Sequence, residues 1–225
     1  MKIAVESWPI VLSIAGVALV GGAFLHPWVA IACAPLLLFT LWFFRDPERR
    51  PPPGDDALLA PADGRVIRCG PDRLSIFMNV LDVHVCRSPL AGAVAEVERH
   101  RGRFVAAYRD DAAEHNERVS IVVAAPGRRV RFTLVAGLIA RRIVCRVRPG
   151  QQLAAGERIG LIRFGSRVDV DLPPGTRVAV GRGDRVVAGV TALAALPAAR
   201  PAGFGYSGAA DEGRDVPVAR GSDHA

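Results

Sequence analysis

From Ser7 to Phe44 the chain carries no Asp, Glu, Lys or Arg. No other feature constrains the fold as strongly, because so long an uncharged run cannot form the outside of a domain that faces only water. It divides into WPIVLSIAGVALVGGAFL and WVAIACAPLLLFTLWFF, with His26-Pro27 as a turn between them. Each segment sits at the short end of the ~17–25 residues that cross a bilayer as a helix. Trp8, Trp28 and Trp42 lie near the segment ends, where aromatic rings settle at the membrane interface. Arg45, Arg49 and Arg50 follow at once in FFRDPERRPPPG. By the positive-inside rule that flank is cytoplasmic, and two spans return the chain to the side of Lys2. A cleaved signal peptide has one apolar run, not a pair followed by a basic flank. A shallow hairpin in one leaflet fits the same pattern.

Residues 1–50 are therefore expected to form a membrane-anchoring helical hairpin with its basic flank, and 51–56 a linker rich in Pro and Gly. Residues 57–197 read as one β-rich domain. GRVIRC, AVAEVERH, RVSIVVAA, RRVRFTLVAG and RRIVCRVR are short β-branched runs bounded by Gly, Pro or Asp. GTRVAVGRGDRVVAGVTALAAL repeats valines around a Gly-Asp turn and predicts a hairpin. It resembles the hairpin of biotinyl and lipoyl carrier domains, but no lysine stands on its turn, which excludes a carrier. The expected fold class is mainly β, a domain like a barrel-sandwich hybrid, preceded by the hydrophobic helical hairpin. From Ala198 to Ala225 no apolar period is present, and a disordered tail is expected.

Composition narrows the chemistry. The formal charge is +7, and Lys2 is the only lysine among 29 basic residues. A positive surface suits anionic lipid. Without an aromatic-interleaved basic stripe or zinc-finger spacing, a nucleic-acid partner is not expected. The absence of lysine beyond Ala57 excludes a pyridoxal-phosphate Schiff base in the domain. Cys33, Cys69, Cys86 and Cys145 form no C-x-x-C and have no histidine cluster beside them, so they read as small buried apolar residues rather than a disulfide or metal set.

Three residues stand out by context. His84 lies between valines in MNVLDVHVCRSPLAG, Asp63 in APADGRV, and Gly165-Ser166 in the middle of the strand pattern RIGLIRFGSRVDVDLPPGT. Each alone has a bland reading: a core histidine, a turn aspartate, a turn serine. Together, LLAPADGRV, NVLDVHVCRSPLAG, HNERVSIVV and GLIRFGSRVDVDLP occur in an order and spacing that resemble the phosphatidylserine decarboxylase family. The likeness is to its short, membrane-anchored class, spans roughly Phe43 to Leu196, and includes the FFRDPERRPP exit from the anchor.

What the resemblance implies is an enzyme that makes its own pyruvoyl cofactor, with no pyridoxal phosphate and no metal. The self-processing Asp, His and Ser map onto Asp63, His84 and Ser166, and cleavage maps to the Gly165–Ser166 bond. The products would be chains 1–165 and 166–225, held together as a heterodimer. Ser166 would become the pyruvoyl group that forms a Schiff base with phosphatidylserine in the membrane, giving phosphatidylethanolamine and carbon dioxide in phospholipid biosynthesis. The location implied is the cell membrane with the domain on the cytoplasmic side; a homo-oligomer is left open.

The residue types suit those roles. A serine hydroxyl attacks only once a base takes its proton. Histidine is such a base near neutral pH, and a carboxylate can orient it and stabilise the imidazolium. Glycine leaves the carbonyl before Ser166 open to attack. One departure concerns proton donation to the substrate carbon: longer members carry a second histidine three positions before the one matched by His84, and here Leu81 stands there. That leaves His84 or another group as donor, His115 being one candidate. Two other readings stay open: a membrane-anchored Ser-His-Asp hydrolase using the same three residues, disfavoured by the lack of a G-x-S-x-G elbow, and a non-enzymatic membrane adaptor that would not depend on Ser166.

Overall fold

The computed structural model describes residues 2–54, 56–102, 116–137, 142–163 and 166–197. The expected tail, 198–225, lies outside them.

Helix α1 (Trp8–Phe24) and helix α2 (Pro27–Phe43) form the anticipated hairpin. Pro9 and Pro27 occupy first-turn positions, where a missing N–H loses no helical bond. His26 caps α2, its Nδ1 accepting from the Trp28 N–H at 3.3 Å. The tip is closed tightly, since a Cβ on Gly21 would stand 2.6 Å from Val29 Cγ1. The outward faces are apolar: Leu19, Phe24, Leu25 and Leu38 are each at least 67% exposed. Such a surface suits lipid better than water. Val5–Phe24 is long and apolar enough to cross a membrane, and Pro27–Phe43 is shorter. At 1.5 Å per residue, a helix of 17 residues is ~25 Å long, slightly less than a ~30 Å hydrocarbon core.

The hairpin is stapled at its base, where strand β1 (Lys2–Ile3) pairs antiparallel with β2 (Arg45–Asp46). Phe43, Phe44, Ala4 and Leu161 pack together there as a small second core. Asp46 accepts from Arg87 and from Arg158 Nε, the latter at 2.6 Å. Residues 43–46 are thus built into the β domain as well as into the anchor.

The rest is mainly β, as expected. β3 (Ala57–Leu59), β4 (Gly64–Cys69), β5 (Arg73–Met78), β6 (Val85–Arg87), β7 (Gly92–His100), β8 (Arg118–Ala125), β9 (Arg128–Val135) and β10 (Ile143–Cys145) are followed by β11 (Gln152–Leu153), β12 (Arg158–Ile162), β13 (Ser166–Asp171), β14 (Arg177–Val178), β15 (Arg185–Val186) and β16 (Ala192–Ala195). Among the described residues the main sheet runs β11-β7-β8-β9-β13-β5-β4-β15. Two smaller sheets run β10-β12-β6 and β14-β16-β3. The core between them includes Ile76, Met78, Phe132, Leu134 and Val168, all fully buried. It comes from alternation along each strand, as in β13, where Val168 and Val170 face inward.

Two expectations are corrected. The valine repeat around Gly183-Asp184 turns as predicted, but β14 and β15 do not pair with each other. β14 pairs with β16 and β15 with β4. The turn's backbone groups are satisfied by β4 instead: Gly183 N–H donates to Val66 O, and Val66 N–H to Asp184 O. Nor are all the cysteines buried. Cys86 is, but Cys69 ends β4 at an exposed turn.

Candidate active site

Strand pairing brings the candidate residues to one seam. β5 pairs with β13 in the main sheet, with Met78 opposite Ser166. β6 pairs with β12 in the small sheet, with Val85 opposite Leu161, and Ile162 N–H donates to His84 O at 3.2 Å. Residues 79–84 lead from β5, the strand that pairs with Ser166, into β6, and they carry His84. Phe164 and Gly165 lie outside the described residues, as does His115.

Ser166 is fully buried. Its hydroxyl donates to Met78 Sδ at 3.2 Å, a weak acceptor that leaves the oxygen lone pairs free. β13 is clamped along its length: Ser166–Asp171 pairs with Arg73–Met78, and Arg167–Val170 with Phe132–Val135.

His84 is 2% exposed. Its Nδ1 lies 2.9 Å from the Asp82 carbonyl oxygen. A carbonyl only accepts, so Nδ1 carries the proton and donates it. That leaves the Nε2 lone pair free, and Nε2 is buried with no hydrogen-bond partner. Burial is the main cause of a pKa lowered to about 4; Arg45 lowers it further, while the Asp82 carbonyl bond and the charges of Asp82 and Asp63 oppose the shift. The hairpin contributes to that burial: the Phe43 ring lies 4.2 Å, centroid to centroid, from the imidazole. At neutral pH the buried His84 imidazole is neutral.

Asp63 is placed differently from expectation. It makes no hydrogen bond to His84. Its Oδ2 accepts from Arg49 Nη2 at 2.7 Å, and its Oδ1 from Arg49 Nη1 and from the Ala188 N–H at 2.8 Å. Orientation of the imidazole falls to the Asp82 backbone. Asp63 reaches His84 by charge alone. The next residue must be glycine, because a Cβ on Gly64 would stand 2.1 Å from Phe77 O. Leu81, where longer members of the resembled class carry a histidine, is 62% exposed at the foot of the hairpin.

Sequence reading missed Phe43, Arg49, Asp82 and Met78 as parts of this site. Arg49 had a signal, the basic flank, which was attributed wholly to topology. The other three had none, because each acts through a contact formed only in the fold.

A family model for phosphatidylserine decarboxylase matches residues 36–194. This chain belongs to the phosphatidylserine decarboxylase family. Relatives named phosphatidylserine decarboxylase proenzyme match over most of both chains. That of Solibacter usitatus is 47% identical over 186 residues, covering 79% of this chain and 91% of its own. That of Syntrophus aciditrophicus is 42% identical over 204 residues, covering 85% and 96%. That of Gluconobacter oxydans is 48% identical over 173 residues, covering 70% and 77%. The matched stretch begins inside α2 and takes in Phe43, Arg49, Asp63, His84 and Ser166.

Proposed function

We propose that this chain is a self-cleaving proenzyme that matures into a pyruvoyl-dependent decarboxylase, converting phosphatidylserine to phosphatidylethanolamine and carbon dioxide. The observation that carries the chemistry is the tautomer of His84: Nδ1–H is held by the Asp82 carbonyl, and Nε2 is a buried, unpartnered lone pair. Nε2 takes the Ser166 proton, and Ser166 Oγ attacks the Gly165 carbonyl. The peptide bond becomes an ester, with the proton passing to the freed amine. Elimination across Cα–Cβ of residue 166 then breaks the ester, leaving a carboxylate on Gly165 and a dehydroalanine that hydrolyses to pyruvoyl and ammonia. Asp63 supports the imidazolium by charge.

The residues present fit the group. Position 166 begins a strand paired on both sides, so the new chain end stays fixed after cleavage. Chains 1–165 and 166–225 remain one body through the pairing of β13 with β5 and β9. A pyruvoyl group there supplies an electron-poor carbonyl that holds the substrate amine and accepts the electrons left by carbon dioxide. His84 would serve as the proton source for the substrate carbon only from a form protonated at Nε2. Residues 1–50 anchor the domain on the cytoplasmic side, residues 51–56 link it, and 57–197 do the chemistry at the lipid surface.

The test is intact mass. The purified protein is expected as two chains, 1–165 and a 60-residue fragment from 166 to 225 blocked to Edman chemistry. Ser166→Ala is expected as one uncut chain without decarboxylase activity. A single full-length species with full activity would sink the proposal.

A further inference from the structure

Arg163 sits three residues before Ser166 at the seam between the hairpin and the β domain, beside Glu6, whose Oε2 is buried without a hydrogen-bond partner. The neighbouring arginines each hold a carboxylate or backbone carbonyls, although Arg158 Nη2 is also buried without a hydrogen-bond partner. Arg49 holds Asp63, Arg87 and Arg158 hold Asp46, and Arg146 holds Glu6. Arg45 gives its Nη atoms to the carbonyls of Trp42 and Leu81 and lies over the Trp42 ring. No carboxylate among the described residues pairs with Arg163. Its Nε is buried with no hydrogen-bond partner. Its Nη2 reaches only the Glu6 backbone oxygen, at the long distance of 3.5 Å. The guanidinium carbon lies 5.9 Å from the Phe44 ring centroid, at the outer limit of a cation–π contact. An arginine left half-buried with an orphaned donor costs stability unless a ligand pairs with it.

We propose that Arg163 binds the phosphodiester of the lipid headgroup during decarboxylation. The inference rests on the function proposed above. Its position suits the substrate: Glu6 and Phe44 stand at the two feet of the hairpin, where headgroups lie. Three residues of chain span at most ~10 Å, within reach of an arginine side chain plus the four bonds from phosphorus to the serine nitrogen. The chemistry selects phosphate over the serine carboxylate. The carboxylate loses its charge as carbon dioxide leaves, so an arginine on it would hold the ground state more tightly than the transition state. The phosphodiester keeps its charge throughout, so pairing there binds both equally and acts on KM.

The experiment uses the full chain in neutral detergent micelles, which removes attraction to an anionic surface. Cleavage is scored by intact mass, and kcat and KM are measured for phosphatidylserine and for a phosphate-free O-alkyl serine. For Arg163→Gln we expect cleavage into two chains, a KM for phosphatidylserine raised ~10–100-fold with kcat little changed, and no change on the O-alkyl serine. Arg163→Lys, which keeps the charge and loses the fork, should show a smaller KM rise, and carries the same comparison if Arg163→Gln stays uncut. An unchanged KM on phosphatidylserine, or an equal loss on both substrates, overturns the assignment while leaving the proposed function intact. A wild-type chain that neither cleaves nor decarboxylates overturns the proposed function instead.

Discussion

Phe43→Ala should convert His84 from a base that works in acid into one that does not. The Phe43 ring lies 4.2 Å from the imidazole, and both side chains are almost wholly buried, at 1% and 2% exposure. Desolvation is the leading cause of the pKa of about 4. Removing the ring admits water, and the value moves back toward the ordinary ~6.5. The other facing groups, Asp82, Asp63 and Arg45, are unchanged. At pH 5.5, a histidine with the lowered value is almost entirely neutral. One restored to ~6.5 is about one-tenth neutral at that pH, so self-cleavage should slow up to ~10-fold there. At pH 8 both forms are neutral, and only a loss common to all pH values remains. The assay is cleavage of freshly synthesised full-length chain in micelles, followed by gel or mass from pH 5 to 8, with Phe43→Leu as a variant that keeps the bulk. Stability gives a second readout. The folded pKa lies below the unfolded one, so the unfolded chain takes up the proton first. Stability is full above ~6.5 and falls as pH drops toward 4, by up to ~3 kcal/mol. Phe43→Ala should flatten that slope. A uniform loss of cleavage at every pH, with the wild-type midpoint retained, would refute the reasoning and leave Phe43 as packing only.

Two further outcomes follow from the seam. Arg49→Ala leaves Asp63 with the Ala188 N–H as its one remaining hydrogen bond, and breaking so buried a pair should cost roughly 3–5 kcal/mol, read as a lower unfolding midpoint together with slower cleavage. Truncation should be sharply position-dependent: a chain begun at Trp42 keeps the ring over His84 and should still self-cleave, whereas one begun at Arg45 loses it and should cleave slowly at acid pH, a difference read by mass on the two soluble products.

Much of this was legible in the residues themselves. An uncharged run divided by His26-Pro27 made the apolar helical hairpin legible without a fold. Strands announced themselves by period-two alternation, and the ordered motifs around Asp63, His84 and Gly165-Ser166 carried the family. Local patterns cannot say which strand pairs with which, and here that pairing decided the site. The valine repeat near Gly183 reads as a hairpin, yet its strands go to separate sheets because Val66 satisfies the turn's backbone. Asp63 and His84 read as partners, yet Arg49 holds the carboxylate and the Asp82 carbonyl holds the imidazole. Phe43 reads as one more apolar residue near the end of the second hydrophobic segment, yet it packs on the His84 imidazole. Sequence determined which groups were available and where the apolar hairpin lies. Tertiary structure alone decided their protonation, because a pKa depends on what surrounds a group in space and not on its neighbours in the chain.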